Sequence, residues 1–204
     1  MSDFMKKRIA VLITGADGMI YVYRFLKVLS DMEDIETYLV ISKSGAMVMK
    51  YELGVDLKDL KSLVDFSYDE GNFMAPLASG SFRLDGTLVA PCSMKTLSGI
   101  ASGFEDNLII RAASIAIKEK RKLVVMPRET PLSTIHIKNM LTLAEAGAII
   151  MPPFPPFYFK TKNADELVDL IVGRMLSMFD IKNNLVKEWG ATKGSPDNIP
   201  EKDQ

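Results

Sequence analysis

The chain has 204 residues, 48% of them hydrophobic, which is enough to close one sizeable core and fits a single globular unit. Its 25 Lys and Arg against 26 Asp and Glu leave a formal charge of −1, so no whole-chain basic field is available for gripping nucleic acid or an anionic membrane. One cysteine, Cys92, and one histidine, His136, exclude an intrachain disulfide and any zinc site built from several thiolates and imidazoles. No run reaches the ~18 apolar residues needed to span a bilayer, and the chain reads as cytoplasmic.

In chain order, the apolar run Ile9 to Ile13 predicts a strand that ends in Thr14-Gly15-Ala16-Asp17-Gly18 and passes into a helix over Met19 to Leu29. A second strand, Thr37 to Ile41, stops at Ser42-Lys43-Ser44-Gly45 before a helix over Ala46 to Glu52. Leu57 to Arg83 is mixed and rich in Ser, Gly and Asp; it fits a flap or a subunit contact and carries no firm element. Further strands follow at Leu88 to Ala90, Leu123 to Met126 and Ala148 to Met151, closed by Pro91-Cys92-Ser93, Pro127-Arg128-Glu129 and Pro152-Pro153 respectively. Helical spacing recurs at Thr96 to Ala101, Asn107 to Lys120, Ile135 to Ala146 and Asp165 to Phe179. Strands alternating with helices predict a parallel sheet covered on both faces. After Ile181 the chain turns polar, which divides it into a domain over 1–181 and a tail over 182–204.

In such sheets ligands lie outside the carboxyl ends of the strands, where loops and helix N-termini point free N–H groups. The strand ends here offer small residues, hydroxyls and cations, a set suited to a phosphate-bearing cofactor. Taken singly, each has a plain alternative. Gly15-x-x-Gly18 lacks the third glycine of the dinucleotide fingerprint and equally makes a simple tight turn. Ser42 and Ser93 to Thr96 are placed to cap helices, a role compatible with ligand contact. Arg111 and Lys118, two turns apart, share a helix face that solvent alone would explain, and Arg174 on the last helix is open to the same reading. His136, early in a helix, reads as a capping or packing residue. Arg128-Glu129, between Pro127 and Pro131, is an adjacent charge pair that helix pairing does not explain, and strand-end loops carry function often. Residues 152–159 hold four prolines and four aromatics, Tyr158 among them, a stiff apolar wall for a flat ring, an isoprenoid chain or a subunit contact.

Together these stretches resemble the UbiX flavin prenyltransferase family, including the B subunits associated with phenolic acid decarboxylases. The resemblance rests on Thr14-Gly15-Ala16-x-Gly18, Val40-Ile41-Ser42-Lys43, Ser79-Gly80-Ser81-Phe82, Pro91-Cys92-Ser93-Met94-Lys95-Thr96-Leu97, Arg111-Ala112-Ala113, Lys118-Glu119, Pro127 to Leu132, Pro152-Pro153-x-Pro155-x-Phe157-Tyr158 and Gly173-Arg174, in order along residues 8–181. It implies a flavodoxin-like (Rossmann-like) three-layer αβα sandwich with a parallel sheet that holds FMN at the strand ends. It implies a homo-oligomer, a dodecamer built from trimers with sites at subunit boundaries. The implied reaction joins a dimethylallyl group, from dimethylallyl phosphate or pyrophosphate, to N5 and C6 of reduced FMN without a metal. The product, prenylated FMN, serves a UbiD-type decarboxylase acting on aromatic or unsaturated acids.

By position, the resemblance puts Gly15, Ala16, Asp17, Ser42, Ser93, Met94, Lys95, Thr96 and Arg128 against FMN. Arg111, Lys118, Tyr158 and Arg174 fall on positions that hold the prenyl phosphate, Glu129 on the acidic residue that relays protons, and Glu52 on a further acidic position near the prenyl site. Asp17 departs from the usual Ser or Thr. A free anion there would repel phosphate, and if buried beside Glu129 the two carboxyls would titrate as a coupled pair. This departure motivates the rival expectation of a divergent protein that binds FMN or prenylated FMN without making it. A flavin-dependent cysteine decarboxylase ranks last, since its Pro-x-Met-Asn motif is missing.

Overall fold

The computed structural model describes residues 6–159 and 161–186. Strands β1 (Lys7–Ile13), β2 (Ile35–Ile41), β3 (Phe66–Tyr68), β4 (Gly86–Cys92), β5 (Leu123–Pro127) and β6 (Ile149–Ile150) form one sheet in the order β3-β2-β1-β4-β5-β6. Every pairing is parallel. The helices are α1 (Met19–Ser30), α2 (Lys43–Leu53), α3 (Leu57–Lys61), α4 (Met94–Ser102), α5 (Leu108–Lys118), α6 (Thr134–Glu145) and α7 (Ala164–Met178).

Period-two alternation in the central strands sorts the helices into two layers. Ile9, Val11 and Ile13 point to one face and meet Phe25 and Leu26 of α1, Met49 of α2, Leu60 of α3 and Val172, Met175 and Leu176 of α7. Ala10 and Leu12 point to the other and meet Leu97 and Ile100 of α4, Ile109 and Ala113 of α5 and Leu143 of α6. The three-layer αβα sandwich follows, as expected. Without β3 the strand order is that of a flavodoxin-like sheet; β3 adds an edge strand from the segment the sequence left open. It consists of three residues, too few to carry a period, and tertiary contacts hold it: the Asp65 carboxylate accepts from both the backbone N–H and the hydroxyl of Thr37 on β2, each at 2.8 Å. Burial opposes the charged form of Asp65, but these two hydrogen bonds prevail and hold its pKa below the usual carboxylate value.

Helix boundaries follow local chemistry. Ser42, Ser93, Asn107, Ser133 and Asn163 each accept a backbone N–H from the first turn they precede. His136 completes a reciprocal capping box with Ser133, its Nδ1 accepting the Ser133 N–H at 3.3 Å, which gives it the capping role expected of it. Most of the polar tail, 187–204, lies outside the described residues.

Cys92, the last residue of β4, is completely buried, and burial pushes its thiol pKa up. The thiolate is the nucleophile, so the folded protein should resist a thiol-reactive chromophore even at mildly alkaline pH and release one equivalent of signal only when denatured. Fast labelling of the native protein would show that the end of β4 opens.

Candidate functional site

Strand order 2-1-4-5 places the topological switch between β1 and β4, where the crossovers leave in opposite directions and a crevice opens at the carboxyl ends. Backbone hydrogen bonds stitch the loops along this edge. The Ser42 N–H donates to Ile13 at 2.9 Å, Thr14 N–H to Pro91 at 3.2 Å and Arg128 N–H to Cys92 at 3.2 Å. Thr14 adds a side-chain tie, its hydroxyl donating to the Pro91 carbonyl and accepting the Ser93 N–H, each at 2.8 Å. Thr14 matched the motif by sequence but was not expected as a site residue; its near-complete burial at a strand end marks it as the clamp between the β1 and β4 loops.

Two glycines shape the first turn. A side chain on Gly15 would start 2.5 Å from the Ser44 hydroxyl, so the β1 and β2 loops approach only because it has none. Gly18, the cap of α1, has φ +87, a left-handed conformation that other residues adopt at a cost. Beside it, the Glu52 carboxylate at the end of α2 accepts the Gly18 N–H at 3.1 Å and the Met19 N–H at 2.9 Å. Glu52 thus supplies the anion that the N-terminus of α1 favours. Ser42 and Ser93 cap α2 and α4, with Ser93 also donating to the Thr96 hydroxyl at 3.2 Å. Met94 is half-buried, Thr96 is buried, and Lys95 reaches outward to Asp106 at 3.2 Å.

Asp17 does not stand as a free anion. Both its oxygens face Arg128, Oδ1 accepting from Nε at 3.1 Å and Oδ2 from Nη2. The burial of Asp17 beside Glu129 considered from sequence does not occur: Asp17 is exposed, and Glu129 accepts the Thr130 N–H at 3.1 Å. Gly15, Ala16, Asp17, Ser42, Ser93, Met94, Thr96, Arg128, Glu129 and Glu52 therefore gather along one edge of one chain, with Lys95 on its rim.

The expected phosphate ligands are distributed differently. Helix α5 starts where Leu108 N–H donates to Glu70 beyond β3, and the chain re-enters the sheet where the Thr87 N–H at the start of β4 meets the Lys122 carbonyl. Lys118, at the end of α5, therefore lies at the edge opposite the crevice, roughly 20 Å away along a seven-residue strand. There it pairs with Glu119, whose carboxyl it holds below the usual range, and sits against Gly80. Arg111, one turn into α5, is half-buried and donates to Glu105 at 2.6 Å and the Ala78 carbonyl at 3.2 Å. Helix α7 runs toward the same far edge, since Lys7 at the start of β1 donates to the Phe179 carbonyl at 2.8 Å. Arg174 on it is exposed, with no ion-pair partner among the described residues. Tyr158 is exposed in a short 3-10 turn beyond β6, against Phe159. One chain alone does not bring these four together.

The strand ends present small-residue loops, hydroxyl and amide donors and one guanidinium, a set that fits a flat ring bearing a polar edge and a phosphate. Fold and crevice define an α/β protein of the flavin-binding class. The family model described as Flavoprotein matches residues 2–183. The flavin prenyltransferase UbiX of Methanocaldococcus jannaschii is 49% identical over 183 residues, covering 90% of this chain and 98% of that protein. Among solved structures, AnUbiX (PadA1), in complex with FMN and dimethylallyl pyrophosphate, superposes with TM-score 0.87 at 44% identity, covering 90% of this chain and 97% of that one. A dodecameric FMN-dependent UbiX-like decarboxylase from Escherichia coli O157:H7 gives 0.85 at 43%, covering 86% and 96%. The chain belongs to the flavoprotein family and, within it, to the UbiX flavin prenyltransferases.

Proposed function

We propose that this chain joins a dimethylallyl group, from dimethylallyl phosphate or pyrophosphate, to reduced FMN, and that the prenylated FMN passes to a UbiD-type decarboxylase. One observation carries the reading: the crevice at the switch point gathers the expected flavin-facing residues, in a chain that matches a flavin prenyltransferase over nine-tenths of its length. Bound reduced FMN supplies N5 and C6 as the atoms to which the prenyl carbons attach. The chain's part is to hold it. Ser42, Ser93 and Thr96 present hydroxyls, Gly15 and Ala16 a flat backbone, Met94 an apolar contact and Lys95 a cation at the rim.

As the C–O bond of the donor breaks, charge gathers on the departing phosphate, and fixed cations stabilise it. Lys118 and Arg174 take this role from neighbouring copies, since one chain keeps both at the edge away from its own crevice, and Arg111 and the Tyr158 hydroxyl complete the set. A homododecamer, the assembly of the Escherichia coli relative, supplies such neighbours. The exposed Phe154 and Phe157, with their prolines, then wall the donor from water. Glu129, beside Arg128 at the crevice mouth, accepts the proton lost from C6. Asp17 is turned onto Arg128, which removes the free anion that motivated a binding-only protein. Among the described residues no helix is long and apolar enough to cross a membrane, and the lone buried thiol accords with a cytoplasmic setting.

Incubation with reduced FMN and dimethylallyl phosphate without oxygen tests the reading. The flavin should gain the mass of one five-carbon unit, with release of inorganic phosphate; unchanged flavin from both phosphate and pyrophosphate donors would overturn it.

A further inference from the structure

We infer that Asp17 is a positioning residue for Arg128, holding its guanidinium as a bridge over the end of β4 so that it meets the uncharged ring of the flavin rather than the flavin's phosphate. The inference rests on the flavin-binding reading above. In the strand order β1-β4-β5, the loops after β1 and β5 are not neighbours; the end of β4 lies between them. The Asp17–Arg128 contact joins these two loops and therefore spans Cys92 and Ser93. Three features fix the bridge. The Arg128 backbone is anchored on the Cys92 carbonyl at 3.2 Å. Asp17 takes Nε and one Nη2 hydrogen in the two-pronged geometry that sets the plane of a guanidinium. The Gly18 turn makes room: an added side-chain carbon there would lie 3.2 Å from Arg128 Nε.

This arrangement decides what Arg128 offers a ligand. Nη1 and the second Nη2 hydrogen have no protein acceptor among the described residues. The positive charge, however, is balanced by Asp17, and the nearby N–H groups of Gly18 and Met19 are already taken by Glu52. Two-pronged pairing with Asp17 leaves this guanidinium less suited to a phosphate dianion than Arg111 or Lys118, each of which meets a single carboxylate oxygen. What remains is a fixed pair of hydrogen-bond donors, matched to the carbonyl edge of a neutral ring. The pair is partly exposed, with side chains 65% and 32% accessible for Asp17 and Arg128. Such pairs contribute little to stability, so its loss should leave the melting temperature almost unchanged.

The test measures binding of oxidised FMN and of riboflavin, which lacks the phosphate, by quenching of flavin fluorescence, and needs no turnover. Asp17→Asn should weaken both ligands to a similar degree, by about tenfold, the loss expected when a charge-assisted contact is no longer held in place. It should also shift the visible flavin spectrum. Asp17→Glu should restore part of the loss, and Asp17→Asn should cost nothing further in an Arg128→Gln background. Tighter FMN binding with riboflavin unchanged would overturn the inference by making Asp17 a competitor of the phosphate; unchanged binding of both would overturn it by making the pair surface charge. Failure of the unmodified chain to bind FMN would instead sink the flavin reading itself.

Discussion

Lys118→Ala is expected to lower prenyl transfer by about 10²–10³-fold while leaving FMN binding intact. In its own chain Lys118 lies across the sheet from the crevice, paired with Glu119 beside the Gly80 turn, so its removal should leave the flavin loops in place. The loss should fall on turnover, because the cation acts where negative charge grows as the phosphate departs. Arg174→Ala should behave alike: the residue is exposed and the core face of α7 is carried by Val172, Met175 and Leu176. Single-turnover rates with saturating donor and flavin titrations in parallel check both. An unchanged rate would return these cations to ordinary surface charge.

Glu129→Gln should cost about 10²–10⁴ in the step that removes the ring proton. The substitution keeps the size of the side chain and an oxygen able to accept the Thr130 N–H, so the loop after β5 should stay in place, with Arg128 still on Asp17. Flavin affinity and melting temperature should therefore hold while the closed-ring product, which has the same mass as the singly attached adduct and is told from it by its absorption spectrum, fails to form. A species carrying the five-carbon unit without the completed ring would place Glu129 after the first bond-forming step. Full activity in the variant would remove it from the proton path.

Much of this architecture is legible in the sequence. The β1 turn, the Ser42 and Ser93 caps and Arg128-Glu129 punctuate strong apolar runs, and such runs in alternation with helices leave one sheet type open. The β1, β2, β4 and β5 strands and all the longer helices fall where periodicity put them. Strand β3 escaped because Phe66–Tyr68 is too short to show a period, and its place depends on Asp65 reaching Thr37, a contact between residues 28 apart. The direction of Asp17 was equally hidden. Sequence shows an acid in a turn that usually carries a hydroxyl; only the strand order reveals that the loop after β5 can reach over β4 to neutralise it. Arg111 and Lys118 show a further limit. Their spacing correctly put them on one helix face, but a helix face says nothing of which copy's crevice it serves, and the fold turns the far end of α5 away from its own.

The distance between Lys118 and its own crevice supplies the most direct test of the central claim, that each site joins the strand ends of one chain to cations of another. Chains carrying Lys118→Ala and chains carrying Glu129→Gln, each nearly inactive alone, would be co-expressed under separate tags and purified as mixed assemblies. Random mixing should rebuild about a quarter of the sites with an intact Glu129 loop facing an intact Lys118, and the rate should recover to about that fraction of the unmodified protein. A mixed assembly no faster than its parents, with FMN bound normally, would mean that Lys118 and Glu129 do not meet across chains, and the shared-site account would be wrong.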